Sequence, residues 1–212
     1  MSWLINMFTS SIGKKLLMAV TGLSFCGFLT VHLIGNLTLY GGKGLFNSYA
    51  EHLHSLGPLV TLFELGLLSF FLVHVLTGAI LVYQNWKARP VKYFKKKKAG
   101  GRTIGSSTMP YSGFVLVIFV IIHLLNFHFI EKSVDRTIYD IVAEAFTQPH
   151  YIFFYFISMI IVAIHVSHGF WSAFQTIGAS HPKYTPIIKV VGTGFSIIVG
   201  IGFGSIPLFI SL

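Results

Sequence analysis

The sequence predicts an all-α integral membrane protein that crosses the bilayer five times, and three observations predict it. Hydrophobic residues make up 54% of the 212 and charged residues only 10%, against about 25% charged in typical soluble chains. Polar groups therefore cannot cover a globular surface, and lipid must be part of the solvent. Apolar runs of the length needed to cross the hydrocarbon recur five times. The cationic residues are confined largely to alternate connections between those runs.

The first run, residues 16–40, is too long for a signal peptide and closes on no small-residue cleavage site, so it is expected to stay as a span. Further spans are expected over 59–86, 110–130, 151–177 and 187–210. All five read as helices, because an isolated strand cannot satisfy its backbone in hydrocarbon. The connection 87–109, with Lys95 to Lys98 and Gly100-Gly101, reads as an exposed basic loop able to meet anionic lipid or a soluble partner. The connection 131–148 places Ile138, Ile141, Val142, Ala145 and Phe146 at the spacing of a short amphipathic helix on the membrane face.

Charge orients the chain. The N-terminal segment, the 87–109 loop and the Lys183/Lys189 segment hold 12 of the 15 Lys/Arg and no acid. Glu51, Glu131, Asp135, Asp140 and Glu144 lie on the other side with Lys43, Lys132 and Arg136. The positive-inside tendency puts the N-terminus in the cytoplasm and the C-terminus outside. So uneven a distribution does not make a nucleic-acid-reading face, despite the formal charge of +9. A lone cysteine, Cys26, excludes an internal disulfide, thiolate clusters of the usual kind and covalent c-type haem attachment. Six acids in the whole chain leave little room for carboxylate catalysis.

Chemistry is concentrated in four histidines, one in each of the first four spans: His32, His74, His123 and His165. An imidazole in hydrocarbon needs a partner, so each is a functional candidate. His32 and His74 are 42 residues apart, as are His123 and His165. Gly22 and Gly113 each stand ten residues before the first histidine of a pair, which makes the chain two related hairpins followed by a fifth helix. His32 lies 8 residues before Tyr40 and His123 lies 8 before Glu131, roughly 12 Å from the outer boundary at 1.5 Å per residue. His74 and His165 lie 16 residues after Pro58 and Pro149, roughly 24 Å from that boundary. Four histidines thus fall into two layers, each fed by two helices.

Two imidazoles at one level across a bundle suit the axial positions of one haem iron, and two layers suit two haems stacked through the membrane. Gly78 and Gly169, one turn beyond His74 and His165, together with Gly22 and Gly113 offer the close clearance a flat macrocycle needs. Small residues at helix contacts serve ordinary packing as well. A zinc centre would want three or four ligands at one point. A haem-free transporter relaying protons through histidines is a further possibility, with Glu64 its one acid at depth.

Thr21-Gly22 leading to His32, the paired 42-residue spacing, a Phe46-Asn47-Ser48-Tyr49 outer loop and a histidine-free last helix together resemble the cytochrome b membrane anchor of succinate:quinone oxidoreductases and quinol:fumarate reductases. The likeness is to the single-chain, five-helix, two-haem type and extends over the full length. It implies that the first four helices form a haem-binding bundle holding two haem b groups. His32 and His123 would ligate the distal haem near the outer face, and His74 and His165 the proximal haem. It also implies a flavoprotein subunit and an iron–sulfur subunit on the cytoplasmic face, menaquinone or ubiquinone as the membrane substrate, and the inner membrane of a prokaryote. The subunit would serve a succinate dehydrogenase or fumarate reductase without a catalytic nucleophile of its own. A haem-containing anchor of another respiratory oxidoreductase is the alternative.

Two positions depart from the family's pattern. Ala163 stands where some members carry a buried proton-passing glutamate, and Met18 and Ala19 stand where polar haem-propionate contacts would fall.

A quinone needs an apolar slot, donors for its carbonyls and a proton acceptor. The outer mouth offers Asn36, Tyr40, Asn47, Tyr49, Glu51, His52 and His54, with Glu51 the first choice of acceptor and Glu64 the second. His128 and His168 read as hydrogen-bonded bystanders, His150 as a surface residue and His181 as a loop residue. Lys14, Ser10, Ser11 and Arg89 are the inner-side candidates for propionate contacts.

Overall fold

The computed structural model describes residues 10–88, 103–130 and 136–212. Arg89, Lys95 to Lys98, Gly100-Gly101, Glu131, Lys132 and Asp135 lie outside these residues. Among the described residues the regular structure is helical, with five helices long and apolar enough to cross a membrane.

Helix α1 (Ser11–Leu37) starts at Ser10, whose hydroxyl accepts from the Gly13 amide at 3.0 Å. It begins five residues before the predicted span because this cap, and not the first apolar residue, sets its start. Within it Thr21, Ser24 and Thr30 donate their hydroxyls to carbonyls one turn back, at 2.7, 2.9 and 2.9 Å, which satisfies groups that lipid cannot. A 3-10 turn over Thr38–Gly41 ends the span before Tyr40, and Gly42 (φ 83°) makes the corner that only glycine adopts freely.

Helix α2 (Gly42–Ser55) corrects the expected outer loop, since Phe46 to Tyr49 are helical within it. Phe46, Tyr49 and Leu53 recur at helical spacing, and Phe46 is buried. Helix α3 (Pro58–Lys87) follows at once, with proline in its first turn.

Helix α4 (Ile104–Phe127) also starts earlier than predicted, so the 87–109 loop is shorter than expected. Thr103 Oγ1 accepts from the Ser106 amide at 3.0 Å and Ser106 Oγ from the Thr103 amide at 2.9 Å, a reciprocal cap. Pro110, read from sequence as the start, sits inside the helix.

The short helix expected in the outer connection is present as α5 (Ile138–Ala145), capped by Thr137 and Asp140. Its apolar face is turned onto protein: Ile141, Val142 and the following Phe146 are buried in the core. Helix α6 (Pro149–Thr176) and helix α7 (Thr185–Ile210) complete the chain, within two residues of their predicted boundaries.

Helix α1 packs on α3 and α6, and α4 packs on α6 and more lightly on α3. Four helices thus surround a common axis with α1 opposite α4 and α3 opposite α6. Helix α7 stands outside this group, against α6 and α1. It approaches α6 closely because glycines face it: a Cβ at Gly192 would lie 2.7 Å from Phe170 Cδ1, and one at Gly200 2.9 Å from Ala163 Cβ. This contact accounts for Ala163, since a glutamate there would have to enter the α6–α7 seam.

At the end remote from the basic connections, α2 and α5 are tied together over the bundle. Lys43 Nζ donates to both Asp140 oxygens at 2.8 and 2.9 Å, and Asn47 Oδ1 accepts from the Tyr139 amide at 3.2 Å. Arg136 pairs with Glu144. Lys43 and the two donors of Thr137 hold the Asp140 carboxyl down at about 2.

Two expectations follow. Gly200→Ala should destabilise the protein in detergent by about 1–3 kcal/mol through overpacking, and adding Ala163→Gly should recover most of the loss; thermal unfolding of the two variants measures both. The Lys43–Asp140 tie, with its carboxyl pKa depressed from 3.8 to about 2, contributes fully above pH 3.8 and is lost as pH falls through about 2. Local opening of α5 measured by amide exchange should therefore be steady down to about pH 4 and increase below it, and Lys43→Met should reduce that pH dependence while the Thr137 donors keep part of it.

Candidate functional site

Each histidine reaches the bundle interior because its helix turns one narrow polar edge inward and covers the rest with lipid-facing side chains. Val31 and Ile34 beside His32, and Val73 and Leu76 near His74, are exposed on the outside. Helices α1 and α4 stand across one diagonal, and the rings of His32 and His123 meet there with centroids 6.0 Å apart and planes at 86°. With metal–nitrogen bonds of about 2.0–2.1 Å, two imidazoles on opposite sides of one metal have centroids roughly 6 Å apart. On the other diagonal, His74 of α3 and His165 of α6 come within electrostatic reach of each other. Among the described residues no three His, Cys, Asp or Glu side chains gather as a tetrahedral metal site would require. That donor set suits axial ligation of a planar group better than a tetrahedral ion.

The outer pair is set in aromatic rings. Phe28 stacks on His32 (5.0 Å, 16°) and Phe119 on His123 (5.7 Å, 26°). Phe203 of α7 lies 5.5 Å from His32, and Phe127 and Tyr155 lie 5.4 and 6.0 Å from His123. Within this apolar enclosure His123 Nδ1 is buried without a hydrogen-bond partner. Asn36 Nδ2 donates to the His32 carbonyl at 2.8 Å and stands 3.4 and 3.5 Å from the two ring nitrogens, favouring neither.

The inner pair is held differently. Thr21 Oγ1 lies 2.9 Å from His74 Nδ1, and Ser112 Oγ lies 2.9 Å from His165 Nδ1. A Cβ on Gly22 would sit 3.4 Å from His74 Cε1, and one on Gly113 3.6 Å from His165 Cε1. Of the other two glycines, Gly78 faces the Met18 thioether, 3.7 Å from where its Cβ would be, while nothing lies within 4 Å of a Cβ on Gly169.

Ser112 and Phe119 escaped the sequence reading, although one signal marks both. Thr21/Ser112, Gly22/Gly113, Phe28/Phe119, His32/His123, Pro58/Pro149, His74/His165 and Gly78/Gly169 are all separated by 91 residues. The 42-residue spacing is a part of this longer repeat, and the structure places the members of each polar or aromatic pair against their own histidine in the same way.

The outer-mouth residues do not gather at one point. Tyr40 donates to Ser205 Oγ of α7 at 2.7 Å, and Asn47 is engaged by Tyr139. His54 Nδ1 stays within α2, 2.7 Å from the Ala50 carbonyl. Glu51 is exposed on α2, and Glu64 is exposed on α3, 3.9 Å from His128. Tyr49 inserts its hydroxyl against Gly35 of α1, and Asn36 alone among the six main candidates touches the outer histidines. His168 lies 3.4 Å from Thr103 and edge-on to Trp171. His150 rests beside Tyr151, and His181 accepts from the Lys183 amide in the α6–α7 connection. Lys14 donates to Gln84 at 3.0 Å, joining the basic ends of α1 and α3.

No family model, curated protein or solved structure matches the chain.

Proposed function

We propose that this chain is the membrane anchor and electron-transfer subunit of a succinate dehydrogenase or fumarate reductase, and that its bundle holds two b-type haems. The observation that carries the reading is the ring-to-ring approach of His32 and His123 across the bundle, with His74 and His165 on the other diagonal and the surroundings of each histidine repeated 91 residues along the chain. His32 and His123 would hold the outer group, His74 and His165 the inner one. When bound, such groups supply one-electron transfer. The chain's own part is to present four imidazoles, to exclude water with Phe28, Phe119, Phe203 and Tyr155, and to anchor the site in lipid.

The excess of cations over acids at the basic end suits a cytoplasmic orientation and contact with the flavoprotein and iron–sulfur subunits that the family resemblance implies. Quinone would approach from the opposite end, where the acids are. Oxidising a quinol releases two protons, and a carboxylate or histidine takes these at neutral pH far better than lysine or arginine. Glu51 is exposed and offers itself for that role, and Glu64 stands beside His128 as the second choice.

A pyridine haemochrome assay on the purified protein should give about two haems per chain. His74→Ala and His165→Ala should remove one and the same haem, and His32→Ala and His123→Ala the other. A colourless protein with full quinone-linked activity, or loss of a single haem in His32→Ala and His74→Ala alike, would sink the assignment. For the quinone, Glu51→Gln or Glu64→Gln should abolish quinone-linked turnover while both haems and dye-linked dicarboxylate activity persist; normal turnover in both variants removes the outer carboxylate site.

A further inference from the structure

The hydroxyls of Thr21 and Ser112 do more than fill hydrogen-bonding capacity, and the direction of their bonds can be worked out. Thr21 Oγ1 lies 2.7 Å from the Leu17 carbonyl, which can only accept, so the threonine proton goes there. What Oγ1 turns toward His74 Nδ1, at 2.9 Å, is a lone pair, and the proton in that contact belongs to Nδ1. Ser112 repeats the arrangement. Its Oγ lies 3.2 Å from the Met109 carbonyl and 2.9 Å from His165 Nδ1, and donation to the carbonyl leaves a lone pair for Nδ1–H. Each inner ring is thereby fixed in the tautomer that leaves the lone pair on Nε2. Cε1 of each ring also lies beside the glycine that follows each hydroxyl, 3.4 Å from a Cβ placed on Gly22 and 3.6 Å from one on Gly113.

The outer pair has no such device. His123 Nδ1 is buried and unpartnered, and the Asn36 amide stands equally far from both nitrogens of His32.

We infer that Thr21-Gly22 and Ser112-Gly113 are two copies of one imidazole seat, in which the hydroxyl positions the inner histidine and tunes the metal that it ligates. This rests on the two-haem reading above. A neutral imidazole that donates through Nδ1–H to an oxygen is a stronger donor at Nε2, and stronger axial donation favours the oxidised iron. Thr21 and Ser112 therefore lower the midpoint potential of the inner haem and strengthen its binding, and leave the outer haem alone.

The test is a spectroscopic redox titration and a haem count on purified Thr21→Val, Ser112→Ala and the double variant. Each single variant should raise the midpoint potential of the haem that His74→Ala removes, and the double variant should raise it further. Retention of that haem should weaken by about 10–100-fold, the usual effect of losing an outer-shell partner. The outer haem should keep its potential. Thr21→Ser and Ser112→Thr, which retain the hydroxyl, should behave as the parent protein. If Thr21→Val does not fold, Thr21→Cys serves in its place: its thiol is a poor acceptor of similar size, and it should raise the potential where Thr21→Ser does not. An inner haem with unchanged potential and retention in the double variant overturns the positioning role while leaving the two-haem reading intact. A parent protein without haem, or with an inner haem that survives His74→Ala, overturns that reading instead.

Discussion

An imidazole placed in hydrocarbon has no water to bind, so each of the four intramembrane histidines must find its partners within the protein. Much of the bundle's internal arrangement answers that constraint. The rings turn inward, away from flanking Val, Ile and Leu side chains that lipid covers. The outer rings meet across one diagonal because four helices around one axis bring α1 and α4 to opposite sides, and α3 and α6 stand on the other diagonal. Thr21, Ser112, Phe28 and Phe119 each touch a histidine.

The 91-residue repeat presents one arrangement twice. The inner seat recurs from Thr21-Gly22 to Ser112-Gly113, and the outer stack from Phe28 to Phe119. In each case the histidine is held by its own hairpin: α1 seats the ring of α3, and α4 seats the ring of α6. Ligation across the diagonal would then join the two hairpins to each other. The division of labour explains how a bundle with few buried residues keeps defined ring positions, since only the short polar contacts within a hairpin must be accurate before the hairpins meet.

The five spans, the short outer helix and the common level of His32 and His123 were legible in the sequence because hydropathy and depth scale directly with residue number. Three features were not. The start of α4 depends on a Thr103–Ser106 cap, a signal that a lysine- and glycine-rich approach obscures. The Phe46–Tyr49 segment reads as a loop between two spans until its helical spacing of Phe46, Tyr49 and Leu53 is weighed against burial under α5. Ser112 carries no mark of its own in an apolar run that also contains Ser106, Ser107 and Thr108; only its place 91 residues after Thr21 distinguishes it. The outer mouth was the least legible region, because whether Tyr40 and Asn47 face a ligand or a neighbouring helix is decided by tertiary hydrogen bonds to Ser205 and Tyr139.

The two sides of the bundle are not equally firm, and the difference follows from side-chain size. Helix α7 lays Gly192, Gly200 and Gly204 against α6 and Gly202 against Leu33 of α1, so backbone approaches backbone and the α6–α7 wall is tightly packed. Helix α3 has no such seam: it is 30 residues long, and Thr77 is its one buried residue. What holds α3 in register with α1 is polar, namely the Thr21–His74 contact in the middle and Lys14–Gln84 at the basic end. In hydrocarbon such contacts are directional and have no competing water, whereas apolar packing against lipid-like neighbours discriminates poorly between rotations of a helix. His74 is therefore at once a candidate ligand and the residue that fixes the rotation of its own helix. The seat at Thr21 matters to the fold of α3 as much as to the chemistry of the site.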